Sequence, residues 1–219
     1  MQTFAPTFRQ DKGNGVIYYP QSDDKYAFQG SLTLVPYESA FVIFGSSMNV
    51  KPYPKERVKV ALDGNEGTTY DITFKESKVT LKDQSLFDWS KHSNDKVRYF
   101  SGHARYTTKW TVKNKKAVKN RAWIAFPDVK DIAHVCVNGK DCGYAWTYPY
   151  EVEVTGALKK GSNKIEIEVV NTWHNALKGL DAGKAPYEGI WTNAKYRTKG
   201  DALLPAGLIA QPELIVEKQ

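Results

Sequence analysis

The chain has few cysteines, few methionines and no long hydrophobic run, and each shortage excludes a class of protein. Only two of the 219 residues are cysteine and two are methionine. Two cysteines are too few for a disulfide-rich secreted scaffold or for a zinc site built from cysteine alone. No apolar run reaches the ~18 residues of a membrane-spanning helix, so we expect no membrane partner. Hydrophobic residues make up 41% and charged residues 25%, which is typical of a folded globular chain.

Positive charge is in modest excess, with 31 Lys and Arg against 24 Asp and Glu, a net charge of +7. Nucleic-acid binding requires that such an excess be concentrated on one face, usually with aromatic rings that stack on bases. The densest cluster contains no aromatic residue and consists of Lys113, Lys115, Lys116 and Lys119. This cluster therefore predicts a solvated hairpin loop, and we expect no nucleic-acid partner.

Recognised catalytic and metal-binding motifs are missing from the sequence. There is no phosphate-binding loop, dinucleotide fingerprint, HExxH pair, nucleophile elbow or CxxC motif. No histidine stands at a spacing that we interpret as typical of metal ligands, and the four are His92, His103, His134 and His174. We therefore expect no cofactor and no metal site, and we assign no catalytic residue.

Alternation of apolar and polar residues with a period of two is the main structural signal, and it predicts strands with one buried face. It is clearest in residues 104–112, where Trp110 falls on the apolar face, and in residues 164–169. Further strand candidates are 31–35, 40–44, 57–62, 70–75, 122–126, 133–137 and 151–154. Short helical turns are expected at 85–90 and 175–180. The sequence therefore predicts an all-β fold, a jelly-roll β-sandwich with few short helices.

The two cysteines flank a predicted hairpin whose turn is Asn-Gly at 138–139. A two-residue loop places Cys136 opposite Asp141 and Cys142 opposite Val135. The two thiols then point to opposite faces of the sheet, which disfavours a disulfide. A bulge next to the turn would change this parity.

The order of motifs from Tyr99 onward resembles a known family. YFSGHARYTTKW is followed by AFPDVKDIAHVCVNGKDCGYAWTYPYEVEVTGALKKGSNKIEIEVVNTW. This arrangement is similar to the sugar-binding domain of family 2 glycoside hydrolases. It resembles more closely the C-terminal β-sandwich of family 106 enzymes, the α-L-rhamnosidases. The resemblance extends from about Arg57 to Pro212 and implies a galactose-binding-like jelly roll over residues 51–219.

The segment LVPYESAFVIF at residues 34–44 resembles the closing strands of the sandwich that precedes this domain in the same enzymes. Residues 1–50 are therefore expected to be remnant strands of an upstream β-sandwich domain. In the family, the catalytic domain lies N-terminal to both modules. The resemblance accordingly transfers no catalytic residue to this sequence.

The resemblance implies a non-catalytic accessory module that supports the catalytic domain of a parent glycoside hydrolase. The implied partners are that catalytic domain and a carbohydrate, a plant or microbial glycan such as one that contains rhamnose. A parent enzyme of this kind is expected in the periplasm or outside the cell. Two alternatives remain open: a protein–protein interaction sandwich without sugar binding, and a self-contained small hydrolase with Asp131, Asp181 or Glu188 as its acids.

Candidate sugar contacts are aromatic and amide side chains near the ends of predicted strands, where loops commonly carry function. One group lies after the hairpin, a second follows the strand at 164–169, and a third lies in a long Gly-rich loop. Their members are Tyr144, Trp146 and Tyr148, then Asn171, Trp173 and His174, then Tyr187 and Trp191. Core packing and docking against a catalytic domain are the alternative roles for the same aromatic residues.

Overall fold

A computed structural model describes residues 57–60, 67–113, 118–193 and 202–218. The chain divides into two units between Glu56 and Arg57, and every described residue belongs to the second unit. The interpretation of residues 1–50, with its strand candidates, therefore lies outside the described residues. Lys115 and Lys116 of the predicted lysine loop also lie outside them.

The backbone of the described residues is mainly extended, with short helical segments. The helices that lie wholly within the described residues are a 3₁₀ helix at Trp89–Lys91, α1 at Asp95–Arg98 and α2 at His174–Asp181. The strands are β1 Arg57–Val60, β2 Tyr70–Phe74, β3 Val79–Gln84, β4 His103–Val112, β5 Ala122–Ala125, β6 Val129–Lys130, β7 Ile132–Val137, β8 Lys140–Ala145, β9 Glu151–Glu153, β10 Gly161–Val170, β11 Gly207–Leu208 and β12 Glu213–Glu217.

The strands form two principal antiparallel sheets. One has four strands in the order β1-β12-β5-β9, and the other has six in the order β3-β2-β4-β10-β7-β8. Strands β6 and β11 pair separately. The predicted all-β sandwich is confirmed. No helix within the described ranges is long and apolar enough to cross a bilayer.

The two longest strands, β4 and β10, lie side by side in the six-stranded sheet and show the predicted alternation. They pair over ten residues, from Gly161 opposite Val112 to Val170 opposite His103. The inward face of β4 carries Trp110, which is 1% exposed, so its predicted core position is confirmed. The opposite face carries charged and polar side chains. Burial of one face thus fixes the register, since a shift by one residue would expose the entire apolar set.

A buried tyrosine connects the six-stranded sheet to the segments that cover its core. The Tyr106 hydroxyl accepts hydrogen bonds from Trp89 Nε1 at 2.6 Å and from the Leu208 backbone N–H at 3.0 Å. The rings of Phe74 and Phe100 contact Trp89 edge-on at centroid distances of 5.2 and 5.6 Å. Burial raises the pKa of Tyr106 well above its ordinary value, so the hydroxyl remains protonated. These contacts fix the 3₁₀ helix and β11 against the core.

The hairpin between β7 and β8 differs in one detail from the sequence prediction. Its turn residues have the positive φ angles of a type I′ turn, and Cys136 lies opposite Asp141 as predicted. The register then shifts, so that Val135 faces Gly143 rather than Cys142. The prediction for Cys142 was therefore wrong, because this residue is the extra one in a bulge of β8. Both cysteines are free thiols.

Candidate functional site

Exposed aromatic side chains lie at one end of the six-stranded sheet, which we call the rim. At the rim β8 and β10 end, while β4 and β7 begin, as the pairs Ala145–Ala133, Val170–Ile132 and Val170–His103 show. Trp146 follows β8 directly and is 68% exposed, and Trp173 follows β10 and is 53% exposed. Because β7 lies between β8 and β10, their chains leave the sheet about 10 Å apart, twice the strand spacing.

The loop after α2 brings a third tryptophan to the same end of the sheet. The Tyr187 hydroxyl donates a hydrogen bond to the Ser101 backbone oxygen, next to the start of β4. Ile190 packs against Ala176 and Leu177 of α2. Trp191 follows directly and is 74% exposed. The predicted sites in the second and third groups therefore come together, although they are far apart in sequence.

Some predicted contacts have polar groups that already serve the fold. Asn171 donates from Nδ2 to the Phe100 oxygen and accepts from the Gly102 N–H, both at 3.0 Å. His174 Nε2 lies 3.0 Å from the Ala202 oxygen. Burial raises the pKa of Tyr187 to about 12. These side chains position the rim, and their role as direct sugar contacts stays a prediction.

Tyr144 and Tyr148, from the first predicted group, have different surroundings. Tyr148 is exposed in the connection from β8 to β9. Tyr144 is exposed on β8, and its ring stacks on the His134 imidazole at a centroid distance of 4.3 Å. Tyr144 therefore joins the rim to the outer face of the β7–β8 hairpin.

Three chemically different side chains meet on that outer face. His134 Nε2 lies 2.9 Å from Asp141 Oδ1, which also accepts a hydrogen bond from the Gly143 N–H at 2.9 Å. The first of these bonds is the main reason that the pKa of Asp141 lies below its ordinary value. The potential ligand atoms of His134, Cys136 and Asp141 all lie within 4.8 Å of one another.

The environment of Cys136 favours a protonated thiol. Burial raises the pKa of this thiol above its ordinary value of 9.0, and the carboxylates of Asp141 and Glu166 raise it further. Glu166 lies directly opposite Cys136 on β10. Two carboxylates therefore lie close to the thiol on this outer face.

Our sequence reasoning missed this cluster because it looked for metal ligands at helical or CxxC spacings. His134 and Cys136 are two residues apart, a spacing that places both on one face of a strand. The predicted pairing of Cys136 with Asp141 supplied the third member. The three residues could therefore have been placed together from the i, i+2 spacing on β7 and from the pairing of β7 with β8.

The acids of the small-hydrolase alternative have separate positions. Asp131 precedes β7 and accepts a hydrogen bond from the Thr172 N–H at 3.0 Å. Asp181 is the last residue of α2, and Glu188 is exposed in the following loop. The contact of Asp131 organises the chain after β10, and a catalytic use of these acids stays a hypothesis.

The fold of two antiparallel sheets is that of a galactose-binding-like domain. Residues 69–200 match the family described as glycosyl hydrolase 2 galactose-binding domain-like, and the chain belongs to this family. The resemblance inferred from the sequence is therefore confirmed. The match begins just before β2 and extends beyond α2 and the Trp191 loop.

Comparison with individual proteins gives the same result. A Formosa agariphila protein named "Putative beta-glucuronidase" is 37% identical over 141 residues, which is 62% of this chain and 12% of that protein. The structure of a rhamnosidase from Novosphingobium sp. PP1Y has a TM-score of 0.63 at 30% identity, covering 79% of this chain and 16% of the rhamnosidase. A Ruminococcus gnavus β-glucuronidase has a TM-score of 0.50 at 15% identity, covering 77% and 30% respectively, and shares the fold. The chain thus spans a minor part of each longer protein, as an accessory domain does.

Proposed function

We propose that the domain is a non-catalytic accessory module of a glycoside hydrolase and binds carbohydrate at its rim. The observation that carries the proposal is the convergence of Trp146, Trp173 and Trp191 at one end of the sheet, each more than half exposed. A folded domain rarely exposes several large apolar rings together unless they contact a ligand or a partner.

The chemistry of the rim suits a sugar. An aromatic face carries partial negative charge and attracts the weakly positive C–H groups of a pyranose ring. Polar groups also lie at this sheet end, among them the His103 ring and its partner Glu76, whose Oε1 lies 2.7 Å from the ring. Asp131 at the start of β7 adds an exposed carboxylate.

The names of two relatives support a proposal for the ligand and the parent enzyme. One similar structure is titled a rhamnosidase and one similar protein is named a β-glucuronidase. We therefore propose a plant or microbial glycan with rhamnose or uronic acid residues as ligand. The proposed second partner is the catalytic domain of the parent enzyme, which this domain would hold close to its substrate.

A second candidate function is docking against that catalytic domain. It is favoured by exposed aliphatic side chains beside the tryptophans, namely Ile132, Leu180 and Leu204. Aliphatic side chains contribute little to sugar binding but are common at the centre of protein interfaces. Docking would therefore use the aliphatic side chains together with the tryptophans, whereas sugar binding would use mainly the aromatic rings.

Titration calorimetry with rhamnose-, galactose- and glucuronate-containing glycans tests the sugar-binding proposal. We expect saturable heat, and a loss of affinity of at least tenfold in Trp146→Ala, Trp173→Ala or Trp191→Ala. Thr111→Ala is the control, since Thr111 is exposed near the opposite end of β4. Absence of heat at millimolar glycan, with a folded protein, would eliminate sugar binding and leave docking.

A further inference from the structure

The outer face of the β7–β8 hairpin carries a set of ligands that none of the preceding functions uses. His134 offers nitrogen, Cys136 sulfur and Asp141 oxygen, and their ligand atoms lie within 4.8 Å of one another. We propose that these three residues bind a transition-metal ion, with Zn²⁺ as the preferred ion. The three ligands are distinct from the predicted sugar contacts, one of which, Tyr144, stacks on the His134 ring.

The types of ligand atom in the cluster determine which metal ion it prefers. Thiolate and imidazole together favour zinc over calcium or magnesium, which prefer oxygen ligands only. Bonds of about 2.0–2.3 Å hold the ligand atoms of a tetrahedral zinc ion roughly 3.3–3.7 Å apart. His134 Nε2 and Asp141 Oδ1 are already 2.9 Å apart. Side-chain rotations that move the ligand atoms by about 1 Å are therefore enough to complete the geometry.

Backbone structure holds the ligands in place before any ion binds. His134 and Cys136 alternate with Ala133, Val135 and Val137, whose side chains are buried in the core and fix the strand. The Gly143 N–H donates to the Asp141 carboxylate and orients it towards His134. The bulge at Cys142 brings this N–H into position, because it shifts the register of β8 at this point. Such supporting hydrogen bonds are a regular part of metal sites.

Acidic and basic side chains surround the cluster on the adjacent strands. Glu166 lies opposite Cys136, and Glu168 lies opposite His134 in the adjacent strand β10. Lys164 and Arg105 pair with these acids at 3.0 and 3.2 Å. Binding of a divalent ion through Nε2 would place the proton of the neutral His134 imidazole on Nδ1, and the Cys136 thiol would release its proton to solvent. Three protein ligands leave the fourth tetrahedral position open to water, as in zinc sites that exchange a ligand.

Cobalt substitution tests the site in the full, reduced chain after treatment with a chelator. Thiolate bound to Co²⁺ gives a near-ultraviolet charge-transfer band, and only two cysteines are available to produce it. We expect one Co²⁺ per chain, with this band bleached by added Zn²⁺. Cys136→Ser should abolish the band, and Cys142→Ser, the matched control, should retain it.

Asp141→Asn and His134→Gln extend the test to the other two ligands. Loss of a supporting group typically costs ~10–100-fold in metal affinity, and loss of a ligand should cost at least as much. Circular dichroism and thermal unfolding of each variant without metal separate loss of binding from loss of folding. Asp141 is exposed, so Asp141→Asn stays informative if Cys136→Ser does not fold. The proposal fails if the unaltered chain shows no band at millimolar Co²⁺, or if the band depends on Cys142 rather than Cys136.

Discussion

Asn163 shows how one buried polar side chain shapes its surroundings. Its Oδ1 accepts from the Lys159 N–H at 2.8 Å and from Asn138 Nδ2 at 2.9 Å. Its Nδ2 donates to the Lys159 and Gly161 oxygens, both at 2.8 Å. The side chain is fully buried, so these bonds replace water completely. Asn163 therefore joins the turn before β10 to the β7–β8 hairpin.

Asn163→Leu should destabilise the domain by about 3 kcal/mol, because the side chain keeps its branched shape but two donors and two acceptors lose their partner. Urea unfolding measures the change as a lower midpoint at an unchanged slope. Ser162→Ala, at the exposed neighbouring position, should shift stability by less than about 0.5 kcal/mol. Equal effects of the two substitutions would contradict the role of Asn163.

Individual residues differ in how far their positions could be predicted from the sequence. The position of Trp110 in the core was predictable, because alternation in β4 fixes its face. The bulge at Cys142 was not, since it depends on how Gly143 and Asp141 hydrogen-bond in the folded hairpin. The backbone bonds of Asn171 were equally hidden, because its partners, Phe100 and Gly102, are about 70 residues away in sequence.

At the scale of elements, the pair β5–β9 illustrates how the four-stranded sheet is held on its outer face. Arg121 forms a two-pronged salt bridge to Glu153, with N···O distances of 3.1 and 2.9 Å. Thr155 donates to the same carboxylate at 2.7 Å. The Arg121 and Arg57 guanidinium groups lie over the Trp123 ring, with centroid distances of 4.9 and 3.9 Å. The two cations thereby shield an outward-facing tryptophan from water.

The salt bridge gives stability a defined pH dependence. The hydrogen bond from Arg121 lowers the pKa of Glu153 below its ordinary value of 4.5. The stabilisation is therefore complete well above pH 4.5 and is lost as the pH falls through the lowered pKa. Glu153→Gln should lower stability at pH 7 by at most about 1 kcal/mol, since the pair is partly solvated.

Urea unfolding at pH 7 and pH 3 checks this expectation. The difference between the unaltered chain and Glu153→Gln should shrink as the carboxylate becomes protonated. Glu188→Gln, in the exposed loop, should change stability little at either pH. A difference that persists undiminished at pH 3 would show that the substitution acts through packing instead.

Other elements were predictable to different degrees. Strands β4 and β10 and helix α2 were placed from pattern alone. Strand β3 was not identified, because its side chains are only partly buried and its apolar alternation is short. The 3₁₀ helix at Trp89–Lys91 overlaps only the end of the predicted turn at 85–90, since its start depends on Asp88, which caps it and bonds to Ala206.

At the scale of the whole molecule, distant parts of the chain complete the same sheet. Strand β12 lies between β1 and β5, with Val216 paired to both Val58 and Ala122. Leu214 and Val216 are buried in the core. The four-stranded sheet therefore cannot form until residues more than 150 positions apart have met.

Deletion of residues 213–219 should abolish cooperative folding. It removes a central strand and two buried side chains, each contributing about 2–5 kcal/mol, against a typical total of 5–15 kcal/mol. Near-ultraviolet circular dichroism and thermal unfolding measure the loss. A chain that stops at Glu217 keeps every residue of β12 and should unfold like the full chain. A sharp unfolding transition in the chain that lacks residues 213–219 would contradict the conclusion that folding requires β12.

The bulge in β8 has a consequence for how copies of the domain behave at high concentration. Strand β8 is the last in its sheet, so one side of its backbone has no neighbouring strand in the six-stranded order. Edge strands of this kind invite another chain to add to them and seed fibrils. The irregular register at Cys142 and the charged Lys140 and Asp141 oppose such growth. The hairpin that carries the proposed metal ligands is therefore also expected to oppose the addition of another chain to β8.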